Sequence, residues 1–321
     1  AHLERIHLGD TSLTLAEIQA DYPENMTVSE EHKDPGITRR DAWFGERIMN
    51  GMYAADFEED TEQSNHHWVR YHWRDYPLND DYALPDIDIL FESQKGKDIA
   101  PLPVKITLTG RLNAHDHDRT QSHSFTPKDD ERWQEAKRVA RVTAALTTEV
   151  DTHLVGAHLN VEQWAIAAYR NLRRSPLSWL LLPHLKEVVL INHTADSVLI
   201  GPEGYIPQAT ALSSDVIAKR AADVLGTLDW HGWTPPKPLS DAHCYARVLN
   251  LFWEILIEYV DDFFDRFEAE IREQWYEVYQ FSNDLVTHSV PRTATADNKD
   301  ASKAKAISPI TLKDQLGDKD T

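Results

Sequence analysis

Two histidines five residues apart, His153 and His158, bracket the segment His153-Leu-Val-Gly-Ala-His158 inside a Pro-free stretch that reads as helix. Neutral imidazoles suit borderline first-row metals. On a regular α-helix a separation of five residues turns side chains about 140° apart, too far to share one ion. A local π-turn adds a residue per turn and brings both rings to one face, and such turns occur frequently at functional sites. The spacing therefore means either nothing or a metal site on a widened helix. The surrounding chain has to decide.

Four residues after His158 comes Glu162, then Trp164-Ala-Ile-Ala-Ala-Tyr-Arg170-Asn171-Leu172, Ser175-Pro176-Leu177, Leu181-Leu182-Pro183-His184 and Ile191-Asn192. Over residues 149–192 this series resembles the lipoxygenase catalytic domain. There H-x4-H is followed by E-x-F-x-I-A-x-x-R-x-L, H-P-I, L-L-x-P-H and I-N in the same order. Upstream, Asp41-Ala-Trp-Phe-Gly-Glu-Arg-Ile-Met-Asn50-Gly51 is similar to the family's D-x-x-F-G-x-x-x-x-N-G, and Trp133-Gln-Glu-Ala136-Lys137 to its W-x-x-A-K. Downstream, Trp253-Glu-Ile-Leu-Ile-Glu-Tyr-Val260 and Trp275-Tyr-Glu-Val278 resemble W-x-x-I-x-x-Y-V and W-x-x-E-V. The likeness runs from about residue 40 to 290. The chain departs from the pattern where Ser175 replaces the His of H-P-I and where Glu149 takes a place commonly held by Gln. Thr194 and Asp196 likewise replace the Leu and Arg of I-N-x-L-A-R.

The resemblance implies a mostly α fold: a lipoxygenase-like helical domain around a long central metal-binding helix, with few short strands. The family's N-terminal β-barrel domain is not expected, because no run of short strands precedes residue 40. It implies a non-haem iron dioxygenase, manganese being the alternative metal, that inserts O2 into a polyunsaturated fatty acid to give a hydroperoxide. Its metal ligands here would be His153 and His158, with His184 structural and outside the ligand set. The family's remaining ligands are a later His, often an Asn four residues on, and a C-terminal carboxylate. After the Trp275 segment the histidine is His288, four residues before Arg292, and the last residue is Thr321. The expectation is therefore a fragment or subunit whose metal site is completed by a second chain or a C-terminal segment. A catalytically inactive, lipoxygenase-derived helical protein that binds a ligand or partner is the alternative. An unrelated helical oxidase would need haem or paired-metal ligands, and no E-x-x-H pair falls on an expected helix.

The elements that must position these residues follow from pattern. Thr126-Pro127 with acids behind it starts a helix, and that helix runs unbroken to about Leu172. Asp41 to Gly51 reads as an amphipathic helix with Trp43, Phe44, Ile48 and Met52 inward. Pro103 to Thr109 alternates as a strand, and Ser213 to Leu225 is helical. From Ala242 to about Val286, Leu249, Trp253, Leu256, Tyr259, Val260, Phe263, Phe267 and Ile271 recur at helical spacing, giving one or two long amphipathic helices. His66, His67 and His72, and separately His115, His117, Asp118 and His123, fit no recurrent metal spacing, and read as loop or surface. Short helices are expected at Leu13 to Ala20 and Leu312 to Leu316. The organisation expected is an extension over 1–40, the helical domain over 41–290 and a flexible tail over 291–321.

With 53 acidic against 33 basic residues, the 321-residue chain carries a formal charge of −20, which argues against nucleic acid or an anionic membrane as the main partner. Hydrophobic residues make up 41% and include 10 Trp, enough for a substantial core. One cysteine, Cys244, excludes an internal disulfide and Cys-rich zinc motifs. No apolar run approaches the roughly 18–20 residues that span a bilayer. A cytoplasmic protein is expected, with secretion as the alternative: the chain starts at Ala1, and Asn25 and Asn192 stand in glycosylation sequons.

Overall fold

The computed structural model describes residues 36, 39–76, 78, 84–94, 97–112, 120–227 and 234–288. The expected short helices at 13–20 and 312–316, the tail over 291–321, and His115, His117 and Asp118 lie outside the described residues.

The architecture is mostly helical with one small antiparallel sheet. Helix α1, Asp41–Asn50, buries Phe44, Ile48 and Met49. Met52, expected inward, is 84% exposed. The helix ends at Asn50 and Gly51 is extended (φ −78°), so Met52 leaves the helical phase and Met49 faces the core instead. Strands β1 (Glu58–Glu59), β2 (His66–Tyr71), β3 (Asp86–Glu92), β4 (Leu102–Thr109) and β5 (Ser122–Phe125) pair in chain order, every neighbour antiparallel. Only β4 is expected from alternation. His66 and His67 therefore belong to β2 and His123 to β5, rather than to loops. Val69, Tyr71, Ile87, Ile89, Phe91, Ile106 and Leu108 point from the sheet into a core shared with Phe44 and Ile48.

The other wall of that core is the central helix. A capping turn opens it: the Asp129 carboxylate accepts the Thr126 backbone N–H (2.7 Å) and hydroxyl (2.9 Å). After a 3-10 turn at Pro127–Asp129 and a left-handed Asp130 (φ 48°), α2 spans Glu131–Thr147. Trp133, Ala136, Ala140 and Ala144 form its buried stripe, the alanines allowing close approach to the sheet. A π-helical segment, Thr148–Leu159, follows without a break, and α3, Asn160–Asn171, completes the rod at Leu172. Two sequence motifs meet here. Asp41 Oδ1 accepts from Trp133 Nε1 (2.8 Å) and from the Lys137 ammonium (2.6 Å), which also reaches the Arg39 carbonyl (2.6 Å). Lys137 is fully buried, and these partners are what permit a buried charge.

A second core forms around α3. Helices α4 (Leu177–Leu181) and α5 (Val188–Ala195) follow it. After α6 (Tyr205–Ala209) comes α7 (Ser214–Leu225), its first turn capped by Ser213. Helix α8, Cys244–Glu273, is kinked at Phe267 (φ −116°, ψ 16°), and α9 covers Trp275–His288. Ala165, Ala167, Ala168, Leu172, Leu177 and Leu185 pack with Ile271 and Phe281. Glu277 of α9 latches the junction after α3, where its carboxylate accepts the backbone N–H groups of Arg173, Arg174 and Ser175 at 2.8–2.9 Å. Burial raises the Glu277 pKa, but the three N–H groups outweigh it and hold the carboxyl below its ordinary value. Asn50 joins α1 to α8: its amide donates to the Ala242 carbonyl (2.8 Å) and accepts from the Tyr245 N–H (3.1 Å). Of the residues expected inward on α8, Ile271 is buried, whereas Leu256 and Tyr259 are exposed together with Leu251, Phe252 and Ile255. No helix among the described residues is long and apolar enough to cross a membrane.

Candidate metal centre

The π segment brings His153 and His158 together. Their rings stand edge to face with centroids 4.8 Å apart, and the two Nε2 atoms are 3.1 Å apart. A plain α-helix would have kept them on different faces.

Hydrogen bonds define which nitrogen of each ring carries the proton. Asn192 of α5, buried against the π segment, donates through its amide NH2 to the His158 carbonyl (2.9 Å) and to Glu162 Oε2 (3.1 Å). Both partners are acceptors, so the amide oxygen must be the atom 3.1 Å from His158 Nδ1. That nitrogen is then the donor, and His158 Nε2 carries a lone pair. Glu149 Oε1 stands 3.3 Å from His153 Nδ1, an acceptor that makes Nδ1 the donor on this ring too. Two lone pairs consequently face each other at 3.1 Å, an arrangement that repels unless a proton or a cation lies between them. Two donors each about 2.1 Å from one ion at right angles would stand about 3 Å apart. The pair fits a shared metal ion, and each ring has the outer hydrogen bond usual for metal-bound histidine.

The remaining candidate residues fall elsewhere. His184, expected outside the ligand set, is exposed in the 3-10 turn Leu182–His184. Ser175 is buried, and its hydroxyl accepts from the Leu177 N–H (3.4 Å). Thr194 and Asp196 are exposed; the Thr194 hydroxyl bonds the Leu190 carbonyl (2.9 Å). Among the described residues, no group of three or more His, Cys, Asp or Glu is gathered in a metal-holding arrangement. Glu149, Glu162 and Asn192 form the outer ring of the pair, a role that sequence spacing alone does not reveal. Asn192 could be found only through its place in the I-N motif. A cavity of about 1150 Å3 lies between β2, the start of the π segment and α8, lined by Phe57, His67, Tyr71, Thr148, His243 and Leu249. Neither His153 nor His158 lines it, so this cavity and the paired imidazoles are separate features.

The lipoxygenase family model matches residues 78–218, which include the π segment and Asn192. The linolenate 9R-lipoxygenase of a Nostoc species is 26% identical over 243 residues, covering 73% of this chain and 29% of that protein. The crystal structure of a 9R-lipoxygenase from Cyanothece superposes with a TM-score of 0.75 at 33% identity, over 89% of this chain and 43% of that one. The chain belongs to the lipoxygenase family. A manganese lipoxygenase, at 15% identity, shares the fold with a TM-score of 0.59 over 77% of this chain and 50% of its own. The chain thus spans at most half the length of these lipoxygenases.

Proposed function

We propose that this chain contributes His153 and His158 as metal ligands to a non-haem iron site, manganese being the alternative ion, of a fatty-acid dioxygenase. The observation that carries this is the pair of Nε2 lone pairs facing each other at 3.1 Å on a π-helical turn. The names of the lipoxygenase relatives support it, and the substrate class follows from them: a polyunsaturated fatty acid with O2, giving a hydroperoxide. When bound, the metal supplies the one-electron chemistry that removes a hydrogen atom from the carbon between two double bonds. The chain's own residues do the positioning. Glu149 and Asn192 hold both imidazoles with Nε2 free, and Glu162 holds Asn192.

Two imidazoles seldom retain a catalytic metal by themselves. We propose that further donors, from a second chain or from more of the same polypeptide, complete the site. A catalytically inactive relative is the competing view, and metal content separates the two. Titration of the chain with cobalt(II), monitored by its visible spectrum, should show binding that His153→Ala and His158→Ala each abolish. Adding a polypeptide that carries the remaining family motifs should tighten binding and produce conjugated diene from linoleate. Failure of the unaltered chain to bind cobalt(II), with or without that polypeptide, would sink this proposal.

A further inference from the structure

A π-helix is a strained state of a chain that could otherwise form α-helix, so something outside it has to hold it. Its buried face answers this at Asp151, two residues before His153. The Asp151 carboxylate receives a two-pronged contact from Arg220 of α7, Nε to Oδ1 at 2.8 Å and the terminal nitrogen to Oδ2 at 2.5 Å. Both side chains are largely buried, 13% and 16% exposed. The guanidinium is itself fixed on every side. It donates to the His72 carbonyl (2.9 Å), and its carbon lies 4.5 Å from the Trp73 ring centre and 5.1 Å from that of Tyr76. Trp73, fully buried, donates its indole N–H to the Thr147 hydroxyl (2.8 Å), at the last residue before the helix widens.

We infer that Arg220 is a positioning residue for the paired imidazoles: it locks the π-helical turn through Asp151, and without it the segment returns toward α-helical pitch and the two rings part. The argument is geometric. A planar fork gripping a carboxylate at two points fixes rotation as well as distance, which a single hydrogen bond would not. Asp151 sits on the turn that carries His153, so a rotation of its side chain about the helix axis moves that imidazole with it. The Trp73–Thr147 bond pins the start of the segment and Arg220 pins its first turn, so the extra residue must be absorbed between them and His158. Nothing in the motif series points to Arg220, which lies beyond its end at Asn192.

The metal part of the test rests on the proposal that His153 and His158 bind a metal; the other part does not. In the full chain without metal, His153→Gln should shift the imidazole 15N signals of His158, because the two rings touch. In an Arg220→Met background the same substitution should leave them unmoved, while helix content by circular dichroism stays as before. Cobalt(II) affinity should fall roughly 10–100-fold in Arg220→Met, the range seen when a residue supporting a metal ligand is lost. Arg220→Lys, which keeps the charge but not the fork, should fall between. A folded Arg220→Met protein with coupled rings and unchanged cobalt affinity overturns the inference. If the unaltered chain binds no cobalt, with or without the polypeptide that carries the remaining family motifs, the metal proposal fails and the ring coupling alone decides the role of Arg220. Should Arg220→Met not fold, Asp151→Asn, which keeps the side chain's shape, is judged by the same two readouts.

Discussion

Asn192 spends one planar amide on three partners, and each constrains the others. If the amide turned over, its NH2 would face the donor nitrogen of His158 and its oxygen the His158 carbonyl, so only one orientation is stable. Asn192→Ala leaves these partly buried groups without the amide, an expected loss of about 1–3 kcal/mol in urea unfolding. It also frees the His158 ring to take the other tautomer, visible in its 15N shifts. Unchanged stability in that variant would show that water replaces the amide. Glu277 makes a different demand, because its three N–H contacts are to a charge. Its folded pKa lies below the ordinary value of about 4.3. The stability it contributes is therefore present above that value and lost as pH falls through the folded pKa. Glu277→Gln should be less stable than the parent at neutral pH, and the two denaturation midpoints should converge in acid. A gap that stays constant down to strongly acidic pH would contradict this assignment.

At the scale of elements, the motifs prove to be contacts with one another. Asp41 of α1 is bonded to Trp133 and Lys137 of α2, and Asn50 caps the start of α8. Replacing Lys137 by Met removes a charge held by two acceptors and leaves Asp41 to find water. A loss of roughly 1.5–3 kcal/mol is expected from the hydrogen bonds to the charged group, measured by thermal or urea unfolding; a neutral or stabilising outcome would show that desolvation cancels the pair. The long rod from Glu131 to Asn171 was legible because its start signal, its lack of Pro and its histidine spacing all agree. The sheet was mostly illegible. Strand β2 reads His-His-Trp-Val-Arg-Tyr, and its inward set of His67, Val69 and Tyr71 contains one aliphatic residue, too little for alternation to show. The candidate site was half legible: the spacing together with the motif series led to the two imidazoles, but Asn192 reaches His158, and Arg220 reaches Asp151, through tertiary contacts that no period encodes. On α8 helical periodicity identified the helix and misplaced its face, since apolar residues lie on more than one side. The exposed Leu251, Phe252 and Ile255 make a stripe that water tolerates poorly. Changing the three to Gln should reduce self-association in light scattering while moving stability by about 0.5 kcal/mol or less per site. A large stability loss would mean the stripe is packed in solution.

On the scale of the whole molecule, two cores share one rod. The first joins the sheet to α1 and α2, and the second joins α3 to α4 and the far ends of α8 and α9. The paired histidines sit in the π segment between them, so the site inherits its geometry from both. These cores differ in how the chain must travel to build them. Sheet neighbours follow one another along the sequence, whereas the Glu277 latch joins residues 102–104 apart. Contacts that close long loops come late, because the entropy of closure is spent before they form. The latch should then be absent from the rate-limiting barrier to folding. In stopped-flow experiments Glu277→Gln should leave the refolding rate nearly unaltered and speed unfolding by the whole of its destabilisation. Slower refolding in that variant would place α9 in the folding nucleus instead. If the latch closes late, the second core opens first when the chain unfolds, and the π segment loses one of its two supports while the sheet still stands.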